Sequence, residues 1–457
     1  MNTLLKFITT FLLLTVTTGL AISQDNPTHI RIITFHEAIM LGLNNSYSLE
    51  IQNEKIRQSQ LLQKKALASL LPQITAQGTY TRYEKDAEIR LPDLSSLEIT
   101  NEYPYIKFSK YNTYIIQKEN SFGALVNLNM PIVNIPAHLT YKNSKDSIRI
   151  SELNKESQKS ELIYNIALSY LNAIGIKKSM RIIKNSIELS RSHLKIVETK
   201  LKNGEANELS LIKANLDLER ANNDLEKARK AYNIALESLS LLLNTNNDFD
   251  IEENVILDYD IKEDVDALYQ KALRNRIDLL ILKENHKMIE REINITKSKF
   301  LPTLNLNATY RYSDMTSFLE DETQWFIMLS ANLNLYDGGL RYIELKEKNS
   351  KLRENTLLMQ QLVESIKSQI KQSLEEISMC KKSVTSLEKQ LELAKMSYEL
   401  SLKSYNVGII PQSDLIDSEI AVTTAEILLE KERNDCAINY IKLLKNTGEI
   451  NLLTMGK

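Results

Sequence analysis

A tandem duplication limits the fold of this 457-residue chain more than any other feature of its sequence. Residues 35–83 align without a gap to residues 265–313, at an offset of 265 − 35 = 230. A repeated sequence of this length predicts a repeated structural unit. We therefore divide the chain into a leader, residues 1–23, then repeat 1, residues 24–262, and repeat 2, residues 263–457.

Repeat 1 is longer than repeat 2 in the part between its two predicted strands. Asn127-Leu128-Asn129 corresponds to Asn332-Leu333-Asn334 at an offset of 205, so repeat 1 carries 230 − 205 = 25 additional residues. They lie within residues 84–120, a polar stretch at the tip of a predicted hairpin. We expect a long loop there, because a hairpin tip tolerates an insertion whose backbone is solvated.

Each repeat reads as a helix, two strands joined by a loop, and two long helices joined at a glycine. The predicted β-hairpins cover about 72–133 and 302–336, and the predicted helical hairpins cover about 137–243 and 340–446. An equatorial segment ends repeat 1, and a C-terminal tail ends repeat 2. The long helices, over about 65 residues each without proline, would extend roughly 100 Å and need partners along their length.

The four predicted strands alternate with a period of two. In residues 303–313, every even-numbered position from Leu304 to Tyr312 is apolar or aromatic, and residues 325–335 repeat this alternation. Strands of about ten residues match a tilted crossing of a bilayer. A half-buried sheet on a soluble core is the alternative for any single strand. Four such strands in one chain, with no soluble α/β pattern around them, favour a membrane. Four strands are too few to close a barrel, so chains must share one, with twelve strands in a trimer or eight in a dimer.

Particular residues mark the ends of the strands. Aromatic side chains near these ends suit the interfacial girdle of a membrane protein. They are Tyr80, Tyr83, Tyr310, Tyr312, Trp325 and Phe326. Strand starts and strand-to-helix junctions are predicted at Pro72, Pro302, Pro131, Gly338 and Gly339.

The leader, residues 1–23, predicts a signal peptide. Lys6 precedes an apolar stretch that is too short to span a membrane, and Ala21-Ile22-Ser23 has the small-x-small pattern of a cleavage site. No cysteine stands directly after the predicted cleavage site, so we expect no lipid-anchor site. Cys380 and Cys436 lie in helical sequence, where we expect two separate small residues on helix faces rather than a disulfide.

A turn glycine joins the two helices of each helical hairpin. Gly204 follows Asn203, and Gly408 follows Val407. Glycine at such a position suits a left-handed helix terminus. By helix length, these turns lie about 100 Å from the strands and form the far tip of the body.

Two aspartates begin the return helix of repeat 2. Asp414 and Asp417 either complement the helix dipole and face solvent, or face the axis of an oligomer. In a trimer the second arrangement gives 3 × 2 = 6 carboxylates in one constriction, which favours cations. Repeat 1 has Ser210 and Lys213 at the equivalent positions, and Lys213 is a hypothetical partner for an aspartate that would help to hold the tip closed.

The order and spacing of these features resemble the TolC family of outer-membrane efflux proteins over nearly the whole mature chain. The resemblance includes Leu333-Asn334-Leu335-Tyr336-Asp337-Gly338-Gly339 and Tyr405-Asn406-Val407-Gly408 followed by Asp414. It implies a homotrimer with a shared twelve-stranded β-barrel in outer-membrane lipid, and a helical barrel and small mixed belt in the periplasm. It also implies docking of the tips with a periplasmic adaptor and an inner-membrane pump of the RND or ABC type. The family's gate aspartates fall on Asp414 and Asp417.

The resemblance predicts a passive exit duct for efflux or type I secretion, with no cofactor. An enzyme is not expected, because the five histidines lie in unrelated segments without a metal-binding spacing. Nucleic-acid binding is not expected either, because the mature chain has 57 − 1 = 56 basic and 59 acidic residues. The alternative is a secreted structural coiled coil or adhesin without channel activity. The cargo (drug, metal or protein) is not determined by the sequence.

Overall fold

The three-dimensional structure is a computed structural model. It describes six ranges of residues: 31–99, 101–103, 106–255, 261, 263–314 and 323–455. The predicted signal peptide, residues 1–23, lies outside the described residues. None of the described helices combines the length and the apolar character that a membrane-spanning helix needs.

The described residues form eight α-helices and ten β-strands. The helices are α1 Phe35–Asn45, α2 Tyr47–Ala68, α3 Ile135–Lys202, α4 Glu208–Leu243, α5 Val265–Asn275, α6 Ile277–Ser298, α7 Leu340–Asn406 and α8 Gln412–Thr447. The strands are β1 Arg31–Ile33, β2 Gln73–Arg82, β3 Ala87–Pro92, β4 Leu97–Ile99, β5 Ile106–Phe108, β6 Tyr111–Gln117, β7 Asn120–Val133, β8 Phe249–Ile251, β9 Thr303–Ser313 and β10 Thr323–Asn332. The predicted long helices and the four predicted strands are confirmed.

The strands of the two repeats join in one antiparallel sheet of order β10-β9-β7-β2. The hairpin of repeat 1 meets the hairpin of repeat 2 where β7 pairs with β9. Strand β10 ends at Asn332, which pairs with Thr303, the first residue of β9. Because Pro302 lacks an N–H group, the ladder stops there, and the predicted extension of the strand to residue 335 is wrong.

The register gives the sheet one apolar and one polar face. Tyr80 pairs with Phe122, and Tyr310 pairs with both Val126 and Trp325, so these side chains share a face. This face is largely exposed in the chain: Ile74 is 69% exposed, Trp325 73% and Ile327 64%. On the opposite face, the two inner strands carry mainly polar side chains: Asn127, Asn129, Asn305, Asn307, Thr309 and Arg311. An exposed apolar face of this extent requires another apolar surface or lipid against it.

The additional residues of repeat 1 form an ordered extension of the first β-hairpin instead of an irregular loop. Strand β3 pairs with β6, and β4 pairs with β5 beyond them, both in antiparallel fashion. Asp93 turns the chain between the two pairs, and its carboxylate accepts a hydrogen bond from the Ser95 N–H at 2.9 Å. The insertion therefore lengthens the hairpin away from the helical body.

The long helices form two antiparallel pairs. In each repeat a helix of 68 or 67 residues, α3 or α7, packs along a return helix of 36 residues, α4 or α8. Contacts between α3 and α8 join the two pairs, so the lateral order is α4-α3-α8-α7. Helices α4 and α7 thus lie at the two edges of this group of four helices.

The strand-to-helix junctions of the two repeats turn in different ways. In repeat 1, the register of β7 shifts at Pro131, and the Asn134 side chain then caps α3 by accepting a hydrogen bond from the Ala137 N–H at 3.0 Å. In repeat 2, Gly338 and Gly339 adopt φ angles of +70° and +86°. The chain therefore uses a bulge and a cap in one repeat and left-handed glycines in the other.

The two cysteines are joined, so the expectation of two separate cysteines is wrong. Cys380 in α7 and Cys436 in α8 form a disulfide with a Cα–Cα distance of 5.6 Å. The residues lie at equal distances from the turn, since 408 − 380 = 28 and 436 − 408 = 28. An antiparallel helical hairpin brings such positions together, and an oxidising compartment outside the cytosol allows the bond to form.

A buried core lies near the middle of α3 and includes the short strands β1 and β8. These strands pair in parallel and bring Ile33 beside Ile251. The fully buried Tyr170 of α3 donates a hydrogen bond from its hydroxyl to the Ile33 carbonyl oxygen at 2.8 Å. This core fixes α3 at its midpoint and leaves the helical tip as a separate layer of packing.

Candidate gate at the helical tip

The two glycine turns have the geometry that the sequence predicts. Gly204 and Gly408 both have a φ of +77°, and a Cβ atom at either position would meet nothing within 4 Å. Asn203 and Val407, the C-cap residues that follow α3 and α7, are exposed. The turns therefore project from the body with open space around them.

Asp414 and Asp417 are exposed in the first two turns of α8. The Ser413 hydroxyl donates a hydrogen bond to the Asp414 carboxylate at 3.1 Å. Neither aspartate forms an ion pair with a described residue of this chain, although Asp414 has a favourable position for the helix dipole. Lys213 is exposed and pairs with neither aspartate among the described residues, so the hypothetical ion pair is absent within the chain.

A lysine that was not predicted connects the two hairpins at the tip. Lys200 Nζ in α3 donates hydrogen bonds to the carbonyl oxygens of Tyr405 at 2.7 Å and Asn406 at 3.4 Å. The same ammonium lies 4.2 Å from the centroid of the Tyr405 ring. It thus stabilises the negative end of the α7 dipole and contacts an aromatic face. The sequence indicates this contact only through position: Lys200 lies four residues before Gly204, and Tyr405 lies three residues before Gly408.

Apolar packing and one amide support this contact. Val197 and Ala214 from the first hairpin pack against Tyr405 and Leu415 from the second, and all four are buried. The buried Gln412 donates a hydrogen bond from Nε2 to the Ser210 carbonyl oxygen at 3.1 Å. Because these contacts fix the start of α8, they also determine the direction in which the side chains of Asp414 and Asp417 point.

Beyond the aspartates, α8 carries a buried acid that the sequence analysis did not identify. Glu419 is only 4% exposed, and its Oε1 accepts a hydrogen bond from the Ser190 hydroxyl at 2.9 Å. Burial raises the pKa of Glu419 to about 7; the Ser190 hydrogen bond opposes this change, and the charge of Asp217 adds to it. A single glutamate among many on these helices gave no sequence signal.

The remaining predicted site residues lie at the opposite end of the molecule. Pro72 and Pro302 directly precede β2 and β9. Tyr80, Tyr310, Tyr312 and Trp325 share the apolar face near the end of the sheet that is farthest from the helices, whereas Phe326 pairs with Thr309 on the other face. Tyr83 follows the end of β2. The described residues contain no group of three or more His, Cys, Asp or Glu side chains placed to hold a metal ion.

Known proteins match this architecture over almost its full length. A sequence profile of the family described as "Outer membrane efflux protein" matches residues 42–245 and 268–449. The outer membrane protein TolC of Escherichia coli is 22% identical over 433 residues, which cover 90% of this chain and 86% of TolC.

Solved structures of outer-membrane channels have the same fold. The CmeC channel of Campylobacter jejuni superposes with a TM-score of 0.73 at 17% identity, covering 91% of this chain and 85% of CmeC. The outer membrane protein VceC of Vibrio cholerae gives 0.72 at 13% identity, covering 91% and 96%. At these identities the superpositions establish the fold, while the sequence profile spans both repeats. The chain therefore belongs to the outer membrane efflux protein family, and it is a passive exit duct of the outer membrane rather than an enzyme.

Proposed function

We propose that three copies of the chain form this duct, with the sheets in the outer membrane and the helical tips in the periplasm. The exposed apolar face of the four-stranded sheet, joined directly to the long helices, is the observation that carries the proposal. Within the described part of one chain, β2 and β10 each lack a partner on their outer side. Pairing β2 of one copy with β10 of the next removes every open edge, and three copies give 3 × 4 = 12 strands.

The edge helices support the same assembly. Leu209, Ile212 and Leu216 form an apolar stripe on α4, with exposures of 58%, 62% and 49%. Leu393, Met396 and Leu400 form a second stripe on α7, with exposures of 65%, 55% and 62%. Both stripes have a three-and-four spacing.

The two stripes lie at overlapping distances from the tip. Sequence offsets from Gly204 run from 209 − 204 = 5 to 216 − 204 = 12 along α4. Offsets from Gly408 run from 408 − 400 = 8 to 408 − 393 = 15 along α7. A neighbouring copy would therefore cover one stripe with the other.

In this assembly Asp414 and Asp417 form the constriction. Their exposure and the absence of an ion pair within the described chain support a position facing the axis. Six carboxylates in a narrow passage attract cations and resist anions. The gate residues come from repeat 2 alone, so each copy contributes one pair.

The tips would dock a periplasmic adaptor that connects the duct to an inner-membrane pump of the RND or ABC type. Both turns are exposed, and the second carries Val407 at 71% and Ile409 at 75% exposure. Such apolar side chains on projecting turns suit a protein contact. Repeat 1 (24–262) and repeat 2 (263–457) have equivalent turns, so both would contact the adaptor. The exposed backbone at Gly204, Asn203 and Gly408 would take part in this contact.

Membrane fractionation, native mass determination and planar-bilayer recording test the assembly. We expect a heat-modifiable trimer in the outer membrane that conducts ions when inserted in a planar bilayer. The double variant Ile212→Glu with Met396→Glu should weaken the trimer, because it places like charges at the proposed contact between copies. A soluble, extended species without conductance would instead support a secreted coiled coil or adhesin.

A further inference from the structure

Two carboxylates share one hydroxyl group inside the contact between α8 and the first helical hairpin. The Ser190 hydroxyl of α3 lies 2.9 Å from Glu419 Oε1 and 3.1 Å from Asp217 Oδ2 of α4. Ser190 and Glu419 are each only 4% exposed. The second carboxylate oxygen of Glu419, Oε2, has no hydrogen-bond partner among the described residues.

The two contacts of the Ser190 hydroxyl can both be hydrogen bonds only if one of the two carboxyl groups carries a proton. A serine hydroxyl has one proton, so it can donate to one carboxylate at a time. With both acids ionised, two like charges would face each other across Ser190. One of the two contacts would then bring the hydroxyl oxygen against a carboxylate oxygen with no proton between them. A proton on Glu419 removes one charge and supplies the missing donor. The buried position of Glu419 favours that proton, whereas Asp217 is partly exposed.

No cation of the described chain compensates the buried acid. On α4, Arg220, Asp224 and Lys227 line the same cavity of about 600 Å³, and Lys227 pairs with Asp224 at 2.9 Å. Across the residues that the structure describes, no lysine or arginine forms an ion pair with Glu419.

The neighbouring groups on the other helices also leave the charge of Glu419 uncompensated. On α3, His193 is buried with neither ring nitrogen hydrogen-bonded to a described residue, and burial lowers its pKa, which favours the neutral ring. On α7, burial raises the pKa of Tyr398, with a smaller contribution from the Glu419 charge, so that phenol is also neutral.

Two covalent links join α7 to α8, one on each side of Glu419. They are the turn at Gly408 and the Cys380–Cys436 disulfide, which lies 28 residues from that turn on each helix. Near the tip, the contact of α8 and α7 with α3 depends instead on Lys200, the small apolar cluster around Leu415, and the acid pair. Separation of the two hairpins at the tip would therefore run along the side of α8 that carries Glu419.

We propose that a proton on Glu419 keeps α8 packed against α3 and α4, and that loss of this proton loosens the contact and lets the tip open. The proposal rests on the proposed duct, because α8 also carries the gate residues Asp414 and Asp417. It adds a proton-sensitive contact to the fold, separate from the exposed aspartates.

The sign of the pH effect follows from the difference between the packed and separated states. A solvated glutamate has its ordinary pKa near 4.5, and burial raises the pKa of packed Glu419 to about 7. Below pH 4.5 both states are protonated, and pH has no effect on their balance. Between the two values, rising pH progressively favours separation by about tenfold for each pH unit, and above pH 7 the effect is complete.

Planar-bilayer recording of the full-length trimer at constant ionic strength tests the proposal. We expect the open probability of the wild type to rise by about tenfold or more between about pH 5.5 and about pH 8. Glu419→Gln keeps the shape and supplies a permanent donor, so it should remain closed at both pH values. Glu432→Gln is the matched control on α8 and should follow the wild type. Repeating the series in an Asp414→Asn, Asp417→Asn background removes the contribution of the gate carboxylates. A wild-type response that persists in Glu419→Gln would overturn the proposal.

Infrared difference spectroscopy tests the proton without relying on conductance. As the pH rises through about 7, the wild type should lose a carbonyl band of a protonated carboxylic acid, and Glu419→Gln should lack this band. If the protein conducts no ions but the band is present, the proposed duct fails while the buried proton stands. If the trimer conducts but the band is absent, the duct stands and the proton-sensitive contact fails.

Discussion

Lys200 Nζ lies 2.7 Å from the Tyr405 carbonyl oxygen and 4.2 Å from the centroid of the same residue's ring. The Lys200 ammonium of α3 therefore contacts both the backbone and the ring of Tyr405, a residue in the last turn of α7. Hydrogen bonds from a charged donor are stronger than neutral ones, and a carbonyl at a helix C-terminus is a favoured acceptor. This contact connects the two hairpins one turn from the glycine turns, where a small separation would widen the tip.

Replacing this lysine should open the tip. Lys200→Met retains much of the aliphatic length but removes the donor, and we expect a loss of about 1–2 kcal/mol after allowance for solvent, or a roughly 5- to 30-fold shift toward the open state. Single-channel recording at neutral pH measures this shift directly. Tyr405→Phe keeps both the carbonyl oxygen and a ring, so it should behave nearly as the wild type.

Lys202→Met provides the matched control for this experiment. Lys202 lies two residues away in the last turn of α3, is exposed, and has the same charge. It should leave the open probability unchanged. Equal effects of the two substitutions would show that the net charge of the tip matters, and not the contact with Tyr405.

Neutralising the gate aspartates should reduce cation block. In Asp414→Asn with Asp417→Asn, a trimer loses six carboxylates, and block by a trivalent cation should weaken by about tenfold or more. Current–voltage curves with the cation added from the tip side measure the change. Glu198→Gln is the control, because this exposed carboxylate on α3 lies six residues from Gly204, as Asp414 does from Gly408. Block that is unchanged in the aspartate variant would reject the carboxylate ring.

Removing the disulfide should lower thermal stability without changing the fold. The bond closes a loop with a sequence separation of 56 residues, and its loss should cost about 2–4 kcal/mol. Thermal unfolding of Cys380→Ser with Cys436→Ser, followed by circular dichroism, should show a lower midpoint than the wild type. Reductant should lower the wild-type midpoint toward the same value and have no effect on the double variant. Equal midpoints without reductant would indicate that helix packing alone determines stability here.

Local periodicity was sufficient to predict the long helices and the four main strands, but not the short strands β3 to β6. The alternation from Leu304 to Tyr312 predicted β9, and the proline-free run after Gly339 predicted the 67 residues of α7, because a single helix or strand is specified by neighbouring residues. The turn glycines were equally predictable, since a φ of +77° at Gly204 and Gly408 is a backbone requirement.

Contacts between distant elements were harder to predict. The Cys380–Cys436 bond depends on the alignment of α7 with α8 about Gly408, which places the two cysteines at equal distances from the turn. Lys200 meets Tyr405 across 205 residues. Glu419 differs from the exposed glutamates only in what α3 and α4 place against it. Such pairings depend on how the hairpins pack, which the local pattern does not specify.

The final prediction compares two glycines with the same backbone conformation. Gly448 ends α8 with a φ of +76°, and Gly204 has a φ of +77°. A Cβ atom at Gly448 would lie 2.8 Å from the Asn275 carbonyl carbon, whereas a Cβ at Gly204 would meet nothing within 4 Å. Alanine at either site adds the left-handed penalty of about 1–2 kcal/mol. Only Gly448→Ala should add a further ~1–3 kcal/mol, because it forces the end of α8 away from the turn between α5 and α6.

Thermal unfolding of the two alanine variants separates these contributions. Gly204→Ala should lower the midpoint slightly, and Gly448→Ala should lower it by clearly more. Since the two sites share nearly the same φ value, the difference between the variants measures the close approach of the backbone at residues 275 and 276. If both variants lost the same stability, the chain at residues 275 and 276 would have to shift at little cost, and the close packing of repeat 2 at the end of α8 would not contribute to stability.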